Sequence, residues 1–174
     1  MSETKNKSLR NILTAIGVFA AAVGLDQLIK YLVQLHLMPI QPEPDVPIIN
    51  GVLHLHYAEN QGAAFSMFQN MDWLLITVTS LVVIGATWYL IKHRKDMPLG
   101  LVIIAALIAA GGVGNQIIDR LRYGYVVDYI YFKLINFAIF NFADMCVVLG
   151  AIALLIYFIF LYGKKKPETD KVES

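Results

Sequence analysis

The segment "YVVDYIYFKLINFAIFNFADM" runs from Tyr125 to Met145 and carries two acids, Asp128 and Asp144, among mostly apolar and aromatic residues. An ionised group in such surroundings must be paired, hydrated or used in chemistry. Aromatic and β-branched residues dominate, and Lys133–Asn136 is turn-like, so we predict a β-hairpin. Paired strands lie about 4.8 Å apart. Folding back would therefore bring the two carboxylates together.

The composition around this segment is that of an integral membrane protein. The chain has 174 residues, of which 57% are hydrophobic and 16% charged, and its mean hydropathy is +0.60. Four apolar runs reach the about 20 residues that a bilayer crossing needs: 12–37, 73–91, 99–118 and 145–163. The first run contains Asp26 and Lys30 and lacks a small-x-small cleavage site, so we do not expect a cleaved signal peptide.

Lysine and arginine residues cluster at both ends of the chain and in "KHRK", Lys92–Lys95, between the second and third runs. Such clusters mark the cytoplasmic side of a membrane. The sequence thus predicts an all-α membrane protein, one domain over residues 1–174, with four transmembrane helices and both termini cytoplasmic. Segments 38–72 and 120–144 are then extracytoplasmic. The net charge of +1 and the absence of a basic stripe argue against a nucleic-acid partner.

The first outer segment is predicted to contain a strand and a short helix. In "VPIINGVLHLHYAEN" apolar residues alternate with His54 and His56, which is the period of a strand in a small antiparallel β element. The two histidines have metal-like spacing but no suitable third ligand nearby, so we place them on an exposed face. The next stretch, "NQGAAFSMFQNM", is predicted to form a short helix at the membrane interface.

Polar residues inside the spans are predicted to lie near the extracytoplasmic ends of those spans, next to the outer segments. Asp26 and Lys30 are four residues apart on one helical face, and an ion pair is expected. The third span ends with glycines followed by Asn115, Asp119 and Arg120. Asp119 is expected to be structural. Adjacent helical residues do not face each other, so Asp119 and Arg120 are not expected to pair.

Two carboxylates that share a proton can form an aspartyl hydrolase pair. The ionised one takes a proton from water while the protonated one donates to the scissile carbonyl oxygen, and the pair later returns a proton to the leaving amine. Neither a metal nor a cofactor is required. The residues alone leave a second interpretation open, in which Asp128 and Asp144 are hydrated or cap the fourth span.

Four motifs in order resemble the lipoprotein signal peptidase (signal peptidase II) family over nearly all of residues 20–150: "DQLIK", "NQGAAF", "DRLRYGYVVDY" and "FNFAD". These are bacterial inner-membrane aspartyl peptidases that remove the signal peptide of prolipoproteins before a diacylglyceryl-modified cysteine. The resemblance implies that Asp128 and Asp144 are catalytic. It also implies substrate-binding or supporting roles for Asn60, Gly62, Asn115, Arg120, Asn141, Asp26 and Lys30.

One motif departs from the family. The family usually has two residues between the asparagine and Asp-Arg, but "NQIIDR" has three between Asn115 and Asp119. Offsets of three and four both stay on one helical face. Gln116 is the alternative equivalent of the family asparagine.

The resemblance thus predicts a multi-pass, monomeric aspartic endopeptidase of the bacterial cytoplasmic (inner) membrane, with its site facing outward. Lipid-modified prolipoprotein and membrane lipid are the expected partners, and no cofactor is expected. Two alternatives belong to other classes: a small proton-coupled exporter that uses Asp26 as its coupling acid, and a non-enzymatic lipid-binding scaffold.

Overall fold

The structure is a computed structural model, and it describes residues 2–40, 45–62 and 71–162. Four helical segments are long and apolar enough to cross a bilayer, as predicted. Their bounds are Asn6–Ile40, Asp72–His93, Leu99–Tyr123 and Phe142–Phe160. The first is α1, Ser2–His36, and the second is α2, Asp72–His93. The predicted helix within residues 60–71 lies largely outside the described residues.

The third span is not a uniform α-helix. It begins as α3, Leu99–Gly112, continues as a seven-residue π-helical segment, Val113–Asp119, and ends with the short α4, Arg120–Tyr123. A π-helix bonds residue i to i+5, so it accommodates an additional residue without breaking the helix, and such segments are frequent at functional sites. The segment contains the extra residue between Asn115 and Asp119.

The third span lies between the first and fourth spans, and α3 packs against both α1 and α5, Phe142–Tyr157. Glycine makes this approach possible. A Cβ on Gly111 would lie 2.4 Å from the carbonyl oxygen of Ala143, and a Cβ on Gly114 would lie 2.7 Å from an Asp26 oxygen. By contrast, α2 contains no buried residue.

A three-stranded antiparallel sheet lies beside the helices, in the order β1 (Val46–Ile49), β2 (Leu53–Asn60), β3 (Val126–Phe132). The predicted strand in the first outer segment is thus confirmed. A register shift falls between Leu55 and Ala58, after which Ala58 pairs with Asp128. A buried apolar cluster joins the sheet to α1: Val33, Leu37, Tyr57, Val127 and Tyr129.

The predicted hairpin in the second outer segment is only partly correct. The chain does turn at Lys133–Ile135, a 3₁₀ turn, but the returning arm makes only an isolated bridge, between Ile130 and Phe140. Asn136 is left-handed at φ 49°, and α5 begins at Phe142. The return therefore ends in a helix instead of a second strand, and β3 takes β2 as its main partner.

The prediction that His54 lies on an exposed face is wrong. His54 is 5% exposed, and its Nε2 accepts a hydrogen bond from the Gly51 N–H at 3.2 Å. His56 is half-buried, and its Nδ1 lies 2.7 Å from an oxygen of Asp45. His54 and His56 are two residues apart in β2, so their rings lie on the same face of the strand. Both rings are close to the carboxylate of Asp45, which immediately precedes β1, and His54 Nδ1 lies 3.4 Å from Asp45 Oδ2.

Candidate active site

The start of α5 fixes the position of Asp144. Asn141 is the N-cap, and its side-chain oxygen accepts the Asp144 N–H at 2.9 Å. In return, Asp144 Oδ2 accepts the Asn141 N–H at 3.0 Å, which completes a capping box. An acid in the first turn also suits the positive end of the helix dipole. Local helix-start chemistry therefore holds this carboxylate in one orientation.

Strand β3 supplies the second acid. Asp128 is 3% exposed; its Oδ1 accepts from Asn141 Nδ2 at 2.7 Å and its Oδ2 from Asn60 Nδ2 at 3.0 Å. Burial, and then the charge of Asp144, raise the pKa of Asp128 to about 7, against the opposing effect of the two amide donors. Asn141 thus contacts both acids, so the chain's return from β3 brings Asp128 and Asp144 to one asparagine.

Behind these acids lies a buried ionic cluster centred on Lys30. Its Nζ lies 2.9 Å from Asp26 Oδ2 and 2.7 Å from Asp119 Oδ2. The predicted pair between Asp26 and Lys30 is therefore confirmed, and Asp119 is a second partner that the sequence did not suggest. Gln27 Nε2 donates to Asp119 Oδ1 at 2.8 Å. Lys30, Asp26 and Asp119 are each no more than 1% exposed.

Asn115 joins the ionic cluster to the acids. Its Oδ1 accepts from Lys30 Nζ at 2.5 Å, and its Nδ2 donates to Asp144 Oδ1 at 2.8 Å. The Gln116 side chain instead accepts from Arg120 Nε at 2.8 Å. Asn115 is therefore the residue of this motif that reaches the acids, although the motif is one residue longer than usual.

Arg120 and Gly62 contact the site from the side of β2. The guanidinium of Arg120 bonds to Asp72 and to the carbonyl oxygen of Gly62. Gly62 N–H donates to Asn60 Oδ1 at 3.0 Å. The side chain of Arg120, for which the resemblance implies a substrate-binding or supporting role, has 0% exposure and bonds to protein acceptors.

A cavity of about 650 Å³ opens next to Asp128 and Asn60. One face of β2 and the segment 133–139 form its walls, and Asp45, His56, Glu59 and Lys133 supply charged or titratable groups. The described residues contain no group of three or more acidic, histidine or cysteine side chains arranged to hold a metal ion. The site thus offers two amide-bound carboxylates, of which Asp128 lines the cavity.

A family model described as "Signal peptidase (SPase) II" matches residues 18–160. The chain belongs to the signal peptidase II family. It is 42% identical to the lipoprotein signal peptidase of Clostridioides difficile (strain 630), over 83% of this chain and 93% of the relative. It is 45% identical to that of Streptococcus pneumoniae (strain ATCC BAA-255 / R6), over 77% and 84%.

Two solved structures of bacterial membrane enzymes share the fold of this chain. One bacterial membrane enzyme superposes with a TM-score of 0.79 at 26% identity, over 93% of this chain and 96% of the other. A second gives 0.74 at 27% identity, over 86% and 95%. The exporter alternative finds no support, because Asp26 is 1% exposed and paired with Lys30.

Proposed function

We propose that this chain is an aspartic endopeptidase that cleaves the signal peptide from prolipoproteins carrying a diacylglyceryl cysteine. The observation that carries the proposal is that two carboxylates, the buried Asp128 and the half-buried Asp144, both bond to Asn141 and face amide donors. The relatives that carry the name lipoprotein signal peptidase supply the substrate class.

The proposed reaction uses one proton shared by the acid pair. The ionised carboxylate takes a proton from water, which attacks the scissile carbonyl carbon while the protonated carboxylate donates to the carbonyl oxygen. The tetrahedral intermediate collapses as a proton passes to the leaving amine. A pKa of about 7 for Asp128 supports this scheme, because a carboxyl with that pKa is protonated in about half of the molecules at neutral pH.

Neighbouring residues have supporting roles in this proposal. Asn60 and Asn141 orient Asp128, and Asn115 orients Asp144. Their amides accept or donate without titrating, so they fix geometry and leave the proton on the acids. Asp26 and Lys30 brace the first span beneath the site.

We also propose that the enzyme works as a monomer in the bacterial cytoplasmic membrane, with both termini inside and the site facing outward. The basic clusters at the chain ends and at Lys92–Lys95 support this orientation. The acids lie at the opposite ends of the third and fourth spans from those clusters. Membrane lipid would surround the exposed apolar side chains of α2, and a substrate helix would arrive laterally through it.

The deciding experiment incubates the purified protein in detergent with diacylglyceryl-modified and unmodified forms of the same precursor. Cleavage of only the modified form, at the bond before the modified cysteine, is expected. Cleavage of both forms would contradict the lipid requirement, and cleavage of neither would contradict the peptidase assignment. Insensitivity to a metal chelator is the expected control result.

A further inference from the structure

Asp72 is the first residue of α2 and has no part in the reaction described above. Its Oδ1 binds Arg120 Nη1. The Arg120 side chain has 0% exposure, whereas that of Asp72 has 33%. The arginine is thus a buried cation at the end of the third span, and Asp72 is its ionic partner. A fully enclosed guanidinium without such a partner would be strongly unfavourable.

The same guanidinium reaches the loop after β2. Its Nη2 donates to the Gly62 carbonyl oxygen, and Nη1 lies 3.5 Å from the Gln61 carbonyl oxygen. Nε donates to Gln116 Oε1 at 2.8 Å. A planar guanidinium holds its acceptors at fixed relative positions, which a lysine in its place would not do. Arg120 therefore fixes the Gly62 backbone relative to Asp72.

Gly62 in turn orients Asn60. The Gly62 N–H donates to Asn60 Oδ1 at 3.0 Å, which identifies that atom as the acceptor side of the amide. The Asn60 Nδ2 then points at Asp128 and donates to Oδ2 at 3.0 Å. A continuous series of contacts therefore runs from Asp72 through Arg120, Gly62 and Asn60 to Asp128.

We propose that Asp72 and Arg120 are positioning residues that hold the Asn60 amide on Asp128. Neither residue touches the reacting atoms; both act through the Gly62 backbone. The inference rests on the proposed function and extends it to Asp72, which was not among the site residues predicted from the sequence. It assigns the start of α2, the span without buried residues, a role in the proton chemistry.

The positioning role predicts a measurable change in the pKa of Asp128. Apart from Asn60 and Asn141, the groups that act on Asp128 are Asp144 of α5 and Lys30 of α1, with the Tyr129 hydroxyl nearby. Within the described residues, the ion pair of Asp72 is with Arg120 and not with any of these groups. The Asn60 hydrogen bond lowers the pKa of Asp128, because a donor stabilises the carboxylate. Displacing Asn60 should therefore raise that pKa.

The test combines Asp72→Ala with Asn60→Ala in a double-mutant cycle. Asp72→Ala should lower kcat roughly tenfold with little change in KM, which corresponds to a weakened hydrogen bond to a charged group. It should also move the alkaline limb of the pH–rate profile upward by about one unit. In the Asn60→Ala background the same change should have almost no further effect. Asp72→Glu should restore most of the rate.

Asp96→Ala is the matched control, because Asp96 is an exposed acid beyond the other end of α2. It should leave rate and pH profile unchanged. Multiplicative losses from Asp72→Ala and Asn60→Ala, or a loss without any shift in the profile, would overturn the positioning role. If Asp72→Ala does not fold, Asp72→Asn should give a smaller shift in the same direction, and no shift would be equally contradictory.

A carboxyl ¹³C NMR titration of Asp128 separates this inference from the proposed function. The Asp128 pKa should be higher in Asp72→Ala than in the unaltered protein, whether or not the protein cleaves a precursor. An unaltered protein that cleaves nothing would overturn the proposed function alone. An unchanged Asp128 pKa would overturn the positioning role alone.

Discussion

Two pairs of acids lie side by side in this molecule and are held in different ways. Asp26 and Asp119 both contact the ammonium of Lys30, at 2.9 and 2.7 Å. Within the described residues, the hydrogen bonds to Asp128 and Asp144 come from amide groups. All four carboxylates belong to the same small polar region between the spans and the sheet.

The difference separates a structural pair from a reactive one. One ammonium attracts both carboxylates and offsets part of their charge, which suits a brace between helices. Amide donors satisfy carboxylate oxygens without neutralising them, so a proton on the pair stays exchangeable. Asn115 contacts both sets, through Lys30 and through Asp144. All four acids are aspartates, so the role of each one is indicated by the group that its carboxylate bonds to.

The largest effect is expected at the amide-held pair. Asp128→Asn and Asp144→Asn should each lower the cleavage rate by a factor of about 10³–10⁴, because the acid–base proton has nowhere to reside. Shape and most hydrogen bonding are kept, so insertion and thermal unfolding in detergent should be nearly normal. Initial rates on a lipid-modified precursor measure the loss. Substantial cleavage by both variants would rule out the dyad.

The next effect is expected at the lysine-held pair, and it should appear in stability. Lys30→Met leaves two buried carboxylates without their cation and should destabilise the protein by roughly 3–5 kcal/mol. Adding Asp26→Asn should recover part of that loss, because the two residues are in contact. Unfolding in detergent gives the numbers. Strict additivity of the two changes would mean that the contact has no energetic consequence.

Several features of this comparison could be predicted from the sequence. The i, i+4 spacing of Asp26 and Lys30 predicted their ion pair, and period-2 alternation predicted the strand that carries Asn60. Asn141 and Asp144 also have the spacing of a capping box, a signal that would have identified the true start of α5. Capping of α5 by Asp144 is compatible with a catalytic role, because capping orients the carboxylate and does not neutralise its charge.

Other features could not be predicted, because they depend on long-range packing. Lys30 meets Asp119, and Arg120 meets Asp72, through side chains that are distant in sequence. No local periodicity encodes such pairs. The additional residue in "NQIIDR" was the one sequence feature that hinted at the π-helical segment. An extra residue in a regular α-helix would instead move the following side chains to another face, so the hint was ambiguous. Only the packing against α1 and α5 decides that Asn115 stays inside.

Asn115 and Gln116 allow the link between the two pairs to be tested. Asn115→Ala removes a donor to Asp144 and an acceptor for Lys30, so the rate should fall about 10- to 100-fold, the range of a hydrogen bond to a charged group. Gln116→Ala, the matched control at the next position, should cost less than about fivefold. A larger loss for Gln116→Ala would mean that the wrong residue has been assigned to the motif.

The pH dependence of cleavage should reflect the amide-held pair. Because burial and the Asp144 charge raise the pKa of Asp128 to about 7, the proton is lost above that pH, and the rate should fall about tenfold per unit beyond it. Asp128 also contributes to folding stability. That contribution is fully present below the pKa that Asp128 has in the unfolded chain, and it is lost as pH rises through the folded pKa of about 7. In Asp128→Asn this part of the stability profile should be flat. A rate independent of pH between 6 and 9 would contradict the assignment.

The smallest effect is expected at a third acid, Asp45, which pairs near the surface with His56 at 2.7 Å and Lys133 at 3.1 Å. Slight burial would raise its pKa, but hydrogen bonds from those two partners outweigh this and lower it. Its contribution to stability is therefore present above the unfolded pKa and lost as pH falls through the lower, folded value. Asp45→Asn should cost no more than about 1 kcal/mol at neutral pH, less in high salt, and progressively less as pH falls through the folded pKa. Unfolding in detergent across that range provides the measurement. A loss as large as that of Lys30→Met would mean that burial does not distinguish the two ion pairs.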